Sequence, residues 1–247
     1  MNILIGNDDG YDAIGIKTLY KVLSSHHSTT IFAPKSNRSA SSSSLTIDKP
    51  LQPKKISETI YFVDGTPSDC IHMALCGYLS KQFDIVVSGI NLGPNLGDDV
   101  IYSGTVAAAI EGRFLGYPSM AISLASWEGK NFETAAKVTE KLLNNIHFSK
   151  LSSNTILNIN VPDVTFEQIK GYKTTVLGRR HKSEDVFPDE LDLSKYWIGE
   201  NGKEAENGPG TDFDAIKNNF VSITPLHIDL TNHREIKVLE NWLENLY

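Results

Sequence analysis

The chain opens with Met1-Asn2-Ile3-Leu4-Ile5-Gly6-Asn7-Asp8-Asp9-Gly10, a short apolar run that ends in a polar turn carrying two adjacent acids. A brief apolar segment stopped by Asn, Asp and Gly reads as a buried strand. Working outward, residues 14–23 place Ile14, Leu19, Val22 and Leu23 near helical spacing, and residues 29–33 form a second apolar run closed by Pro34. The alternation continues with a helix over 66–79, a strand over 84–88 and an Ala-rich helix over 105–115. A strand over 119–124, a helix over 132–144 and a strand over 155–161 stopped by Pro162 complete it. Repeated strand–helix units predict an α/β fold with a Rossmann-like parallel sheet and helices on both faces. Right-handed crossovers then gather the strand-to-helix loops at one sheet edge, where such folds bind ligands. Chemistry is expected after residues 6, 33, 88 and 124.

The 247 residues suit one catalytic core over 1–162 plus an extension over 163–247 within the same structural domain. Residues 45–63 interrupt the rhythm as a β excursion. Beyond Pro162, strands are expected over 171–177 and 219–224, separated by a polar stretch over 178–214 and followed by an amphipathic helix over 235–245. Hairpins and a terminal helix of this kind are expected to serve oligomerisation. Hydrophobic residues at 40% and charged residues at 21% exclude wholesale disorder. A net charge of −7 argues against long nucleic acid as a partner. No apolar stretch is long enough for a membrane span, and the N-terminus lacks signal-peptide character, so a cytoplasmic location is expected. Cys70 and Cys76 read as ordinary buried thiols rather than a metal pair.

Asp8 and Asp9 repel each other unless something positive stands between them, and a hard divalent cation is the usual solution. Taken alone, the pair reads more readily as an Asx turn with a solvated carboxylate; its place at the end of strand 1 reverses that preference toward the metal reading. Asn91 and Asn95, in the Gly-rich loop over 88–97, offer amide oxygens that suit Mg²⁺ or Mn²⁺. Ser103-Gly104-Thr105 leads into a helix, where backbone N–H groups accept anions; a plain Ser cap is the simpler alternative. The capping signal at Thr66-Pro67 reads as structural. His181 reaches a site only if the tail folds back. No P-loop, G-x-G-x-x-G, H-E-x-x-H or G-x-S-x-G motif is present.

These residues resemble a known family. Ile3 to Gly10, Ala33-Pro34 with Arg38-Ser39, Gly65 to Cys70, Ser88 to Asn95 and Tyr102 to Val106 are similar to the SurE (survival protein E) nucleotidases. In the tail, Gly178 to His181, Tyr196 to Gly199, Gly210-Thr211-Asp212 and Val221 to Leu226 continue the likeness. The resemblance implies hydrolysis of nucleoside 5′- and 3′-monophosphates to nucleoside and phosphate, with some action on short polyphosphate. It implies one divalent cation per subunit, Mg²⁺ or Mn²⁺, on Asp8, Asp9, Ser39 and Asn95. Catalysis would fall on Asp8 and Asp9, and phosphate contacts on Asn91, Asn95, Ser103, Gly104 and Thr105. It further implies a homodimer or homotetramer. Two departures stand out: Leu191 to Lys195 replaces the family's usual Asp-Pro-Arg-Gly, and Ala40 stands where glycine is usual. A nucleotide-binding regulatory module with residual hydrolysis is the alternative function. A metal-dependent glycosyltransferase would want a later acidic-x-acidic motif, which is missing.

Overall fold

A computed structural model of the chain describes residues 1–199, 201–244 and 246. Strands β1 (Asn2–Gly6), β2 (Ser28–Pro34), β3 (Lys54–Ser57), β4 (Ile60–Val63), β5 (Ile85–Leu92), β6 (Ser119–Leu124), β7 (Ile156–Val161) and β8 (Tyr172–Thr174) build most of the central sheet. The short β9 (Arg179–Arg180), β10 (Phe187–Pro188), β11 (Tyr196–Trp197) and β12 (Glu204–Glu206) follow, and β13 (Val221–Leu226) returns to the sheet. The nine-stranded order is β3-β4-β2-β1-β5-β6-β7-β13-β8. The middle of the sheet is parallel, while β3 on β4 and β13 on β7 are antiparallel. The sheet is therefore mixed but mainly parallel.

Alternation along β1 shows why the sheet is covered twice. Ile3 and Ile5 join the core beneath α1 (Ile14–Leu23), while Leu4 points to the opposite layer with Ile71 of α2 (Pro67–Met73). α3 (Gly104–Phe114) packs with α2, and α4 (Phe132–Asn145) packs with α1, one pair on each face. Each fully buried Leu or Ile contributes roughly 1.5–3 kcal/mol, so this central run anchors both layers.

Strand order reverses around β1, with β2 on one side and β5 on the other. That crevice is where parallel sheets place ligands. Three local readings are corrected. β5 extends to Leu92 rather than stopping at Ser88, because its register slips between Ser88 and Asn91 and the strand carries on past the irregularity. The helix expected over 66–79 ends at Met73 and continues as a π turn over Ala74–Tyr78, where Gly77 adopts φ +121°. Cys76 in that turn is exposed, whereas Cys70 is buried as expected.

Beyond residue 162 the chain adds two strands to the sheet and projects an arm. β9 pairs with β12 at its base, and β10 pairs with β11 further out. α5 (Asp212–Lys217) then leads into β13. The terminal helix is α6 (Ile236–Glu244), with exposed Ile236, Leu239, Trp242 and Leu243; residue 245 lies outside the described residues. No helix among the described residues is long and apolar enough to cross a membrane.

Candidate active site at the carboxyl ends of β1 and β5

The turn after β1 is made by Asn7, not by an aspartate. Asn7 Nδ2 donates to the Gly10 carbonyl at 2.9 Å, and Gly10 N–H donates back to Asn7 Oδ1 at 3.2 Å. Gly10 sits at φ +110° against the Ser36 backbone, a conformation that a side chain would strain. With the turn closed by Asn7, both aspartates remain available for other work.

Asp8 is almost fully buried. Its Oδ1 accepts a 2.5 Å hydrogen bond from Thr105 Oγ1. Its carboxylate lies against the first turn of α3: a Cβ added to Gly104 would stand 2.7 Å from Asp8 Cβ and 2.9 Å from Oδ2. Glycine is thus the residue that lets this helix start approach the acid. The same phantom Cβ would stand 3.0 Å from Ser41 Oγ, a buried hydroxyl with no hydrogen-bond partner among the described residues. The loop after β2 crosses directly above, where Arg38 N–H donates to the Asp8 carbonyl at 2.7 Å. Ser39 is the next residue, exposed, and its N–H and Oγ both donate to Asn37 Oδ1 at 2.7 and 2.6 Å.

Asp9 is half-buried and accepts from Leu92 N–H at 3.2 Å, which ties β1 to the end of β5. Burial raises the pKa of both acids. Asp8 is pushed up to about 6, mainly by burial and further by the neighbouring Asp9 charge, while the Thr105 bond opposes the rise. For Asp9, burial outweighs the Leu92 hydrogen bond. Two adjacent acids held at raised pKa form a site that a cation would relieve.

The two asparagines occupy different places. Asn91 directly precedes the residue that touches Asp9, and its Nδ2 donates to the Gly93 carbonyl at 2.9 Å. Asn95 is held over β6 and β7: its N–H donates to Asn160 Oδ1 at 2.9 Å, and its carbonyl accepts from Asn158 and Asn160 Nδ2, both at 2.9 Å. Its Nδ2 donates to Ser123 Oγ at 2.7 Å. In each, the engaged amide nitrogen leaves the side-chain oxygen free of that bond. Ser103 caps α3 by accepting Val106 N–H at 3.1 Å, and Thr105 spends its hydroxyl on Asp8. Six of the expected residues, Asp8, Asp9, Asn91, Ser103, Gly104 and Thr105, therefore stand on segments linked by direct contacts. Ser39 is brought alongside by the backbone, and Asn95 is fixed by its own network. Among the described residues, no three His, Cys, Asp or Glu side chains converge on a point, so a cation here would depend on two carboxylates completed by neutral oxygens.

Some participants are not evident in the sequence. Ser41 hides in a serine-rich run that reads as a linker. Asn158 and Asn160 look like strand residues, although two buried amides at period two demand partners. Thr66 caps α2 as expected, and Asp69 completes a capping box with it. His181 is exposed on the arm. Ala40 adopts φ +56°, so the departure from glycine places a side chain in left-handed backbone.

Comparisons with known proteins follow the same geometry. The family model for Survival protein SurE matches residues 3–184. The 5′-nucleotidase SurE of Vesicomyosocius okutanii subsp. Calyptogena okutanii is 59% identical over 246 residues, covering 100% of this chain and 99% of that protein. That of Methylococcus capsulatus is 51% identical, covering 98% of each. The crystal structure of SurE protein from Aquifex aeolicus superposes with a TM-score of 0.85 at 41% identity, covering 99% of this chain and 100% of that one.

Proposed function

The chain belongs to the SurE family, and from that premise we propose that it is a divalent-metal-dependent phosphomonoesterase that hydrolyses nucleoside 5′-monophosphates to nucleoside and phosphate. The observation that carries this reading is the adjacent Asp8-Asp9 pair at the sheet's switch point, with Asp8 buried and pressed against the N-terminus of α3. Nucleoside 3′-monophosphates and short polyphosphate share the same phosphoryl chemistry and fall within the proposed range.

The residues fit a cation on one side and an anion on the other. The adjacent acids need a positive charge, and the close approach allowed by Gly104 together with the unpartnered Ser41 hydroxyl supplies donors beside them. Asp8, Asp9, Ser39 and Asn95 would hold the ion, Mg²⁺ or Mn²⁺, with Asn91 an oxygen donor next in sequence to the Asp9 contact. A bound divalent cation supplies Lewis acidity toward a phosphate oxygen and toward water. The N–H groups at Ser103-Gly104-Thr105 receive phosphate oxygens and stabilise charge that grows on them. Asp9, the more accessible acid and the one without a hydroxyl donor, accepts the proton of the attacking water. Thr105 orients Asp8 through its 2.5 Å bond.

The arm carries exposed Phe187, Leu191, Tyr196, Trp197 and Ile198, and α6 exposes a further apolar side. Assembly into a homodimer or homotetramer through these surfaces belongs to the proposal.

Phosphate release from AMP, with and without chelator, tests the function. Hydrolysis is expected only with Mg²⁺ or Mn²⁺ present, and Asp9→Asn is expected to lower kcat by roughly a thousandfold or more. AMP binding without phosphate release under all metals would instead mark a nucleotide-binding module.

A further inference from the structure

Beyond the end of β5, which touches Asp9, lies a cleft of about 470 Å³ lined by Pro94, Asp99, Trp127, Arg180 and Asn201. A somewhat larger cleft, of about 560 Å³, is lined by Thr155, Arg113 and His227. It opens at the amino end of β7, away from the acids. The smaller cleft stands at the catalytic edge. Its floor, Pro94, is two residues from Leu92, whose N–H touches Asp9.

We propose that this cleft is the nucleobase subsite, with the Trp127 indole as its stacking platform and the Asn201 amide reading the base edge. The inference rests on the nucleotidase reading above and names the part of the substrate that the reading leaves open.

Trp127 lies in the loop after β6. The six-membered ring packs on Gly93, whose added Cβ would fall 2.4–2.8 Å from three of its carbons. Only glycine allows this seat, and φ +114° there favours glycine as well. The loop is pinned at its far end by Asp163, whose carboxylate accepts from Lys130 N–H, Asn131 N–H and Asn131 Nδ2. The indole is nevertheless 76% exposed. A large aromatic supported from below and bare elsewhere, at the mouth of a site for nucleotides, matches the sequence-tolerant stacking that bases make.

The facing wall explains why this cleft takes a base rather than another phosphate. Arg180 is spent on Asp99, with Nε 2.9 Å from both carboxylate oxygens and Nη2 2.7 Å from Oδ2. Its Nη1 donates to the Gly202 carbonyl at 3.1 Å, and the guanidinium lies 5.1 Å from the Phe213 ring centre. The two formal charges of the lining therefore cancel. Asn201 Nδ2 donates one hydrogen to Asp99 Oδ1 at 2.9 Å. Among the described residues its Oδ1 and second amide hydrogen have no other partner and can pair with an acceptor–donor edge such as that of adenine. The size suits a base with its ribose.

The test compares AMP with ribose 5-phosphate, which carries the same ester without the base. Wild-type enzyme is expected to prefer AMP by kcat/KM. Trp127→Ala should lower that preference about tenfold, chiefly through the KM for AMP, and Trp127→Phe should keep most of it. Asn201→Ala should lower kcat/KM for AMP while leaving that for ribose 5-phosphate, which has no base edge, unchanged. No preference in wild type, or equal losses on both substrates in Trp127→Ala, would overturn the subsite. Quenching of indole emission by AMP, present in wild type and lost in Trp127→Phe, reads the same contact without turnover. If neither substrate releases phosphate while that quenching persists, the hydrolase reading fails and the subsite stands. If the quenching is equal in both proteins, the subsite fails whatever the hydrolysis.

Discussion

At the residue scale, Asp8 is a buried acid whose burial costs stability, as the proposed cation site would require. Its carboxyl is raised to about 6, with burial as the largest cause, against 3.8 for the free side chain. A folded-state pKa above the unfolded one means that the folded protein holds the extra proton between these values. In metal-free protein this group's contribution is therefore favourable below about pH 4 and is lost as pH rises toward about 6, at a total cost of about 3 kcal/mol. Asp8→Asn keeps an oxygen for the Thr105 hydroxyl and carries no charge. In chelator at pH 7 it is expected to melt several degrees above wild type in a thermal scan, while its phosphate release is nearly abolished. At pH 4 the difference in melting should close. A variant that melts below wild type at pH 7 would show that the burial cost has been misjudged.

At the element scale, the start of α3 is the part most finely fitted to the acids. Gly104 admits Asp8 where any side chain would collide with it, and Ser103 caps the same turn. Gly104→Ala is expected to displace α3 or the Asp8 side chain. Turnover should fall at least tenfold, while the far-ultraviolet circular dichroism stays that of the wild type. Retained activity would mean that the helix start and Asp8 do not need this proximity. Much of this scale is legible in the sequence, since apolar runs and Gly/Pro punctuation mark β1, β2, β6, β7, α1 and α4. The extension of β5 past Ser88 is not legible, because Gly89, Asn91 and Gly93 look like a loop, while β6 alone carries the strand onward by pairing Ser123 with Asn91 and Leu124 with Leu92. Nor does the sequence show that Thr105 faces Asp8, or that Asn95 is held by Asn158 and Asn160, since those pairings join residues more than sixty positions apart. The two acids themselves are legible because they sit at the end of the first strand, where topology leaves few other roles.

At the scale of the whole molecule, Asp212 couples the arm to the edge of the sheet that carries the proposed site. It is fully buried; its Oδ2 accepts Gly97 N–H at 2.8 Å, and its Oδ1 accepts Gly178 N–H at 2.9 Å and Phe213 N–H at 3.0 Å. One carboxylate thus fastens the loop after β5, the entry to the arm and the start of α5. Asp212→Ala leaves these amides without their acceptor and is expected to cost about 1–3 kcal/mol per buried donor left unsatisfied. Urea denaturation should report that loss, and proteolysis should cut the arm over 179–206 faster than in wild type. Unchanged stability and cleavage would show that the arm is held by other contacts. In the sequence, Gly210-Thr211-Asp212 stands out only through the family likeness; the cap that Thr211 provides by accepting Asp214 N–H and the reach of Asp212 to residues 97 and 178 become visible once the chain is folded.

The most direct measurement is calorimetric titration of Mn²⁺ into chelator-stripped wild-type, Asp8→Asn and Asp9→Asn proteins at pH 7.5. One ion per chain in the wild type, and a loss of affinity of about a hundredfold or more in each variant, is the predicted result. Equal Mn²⁺ binding by all three proteins would contradict the account.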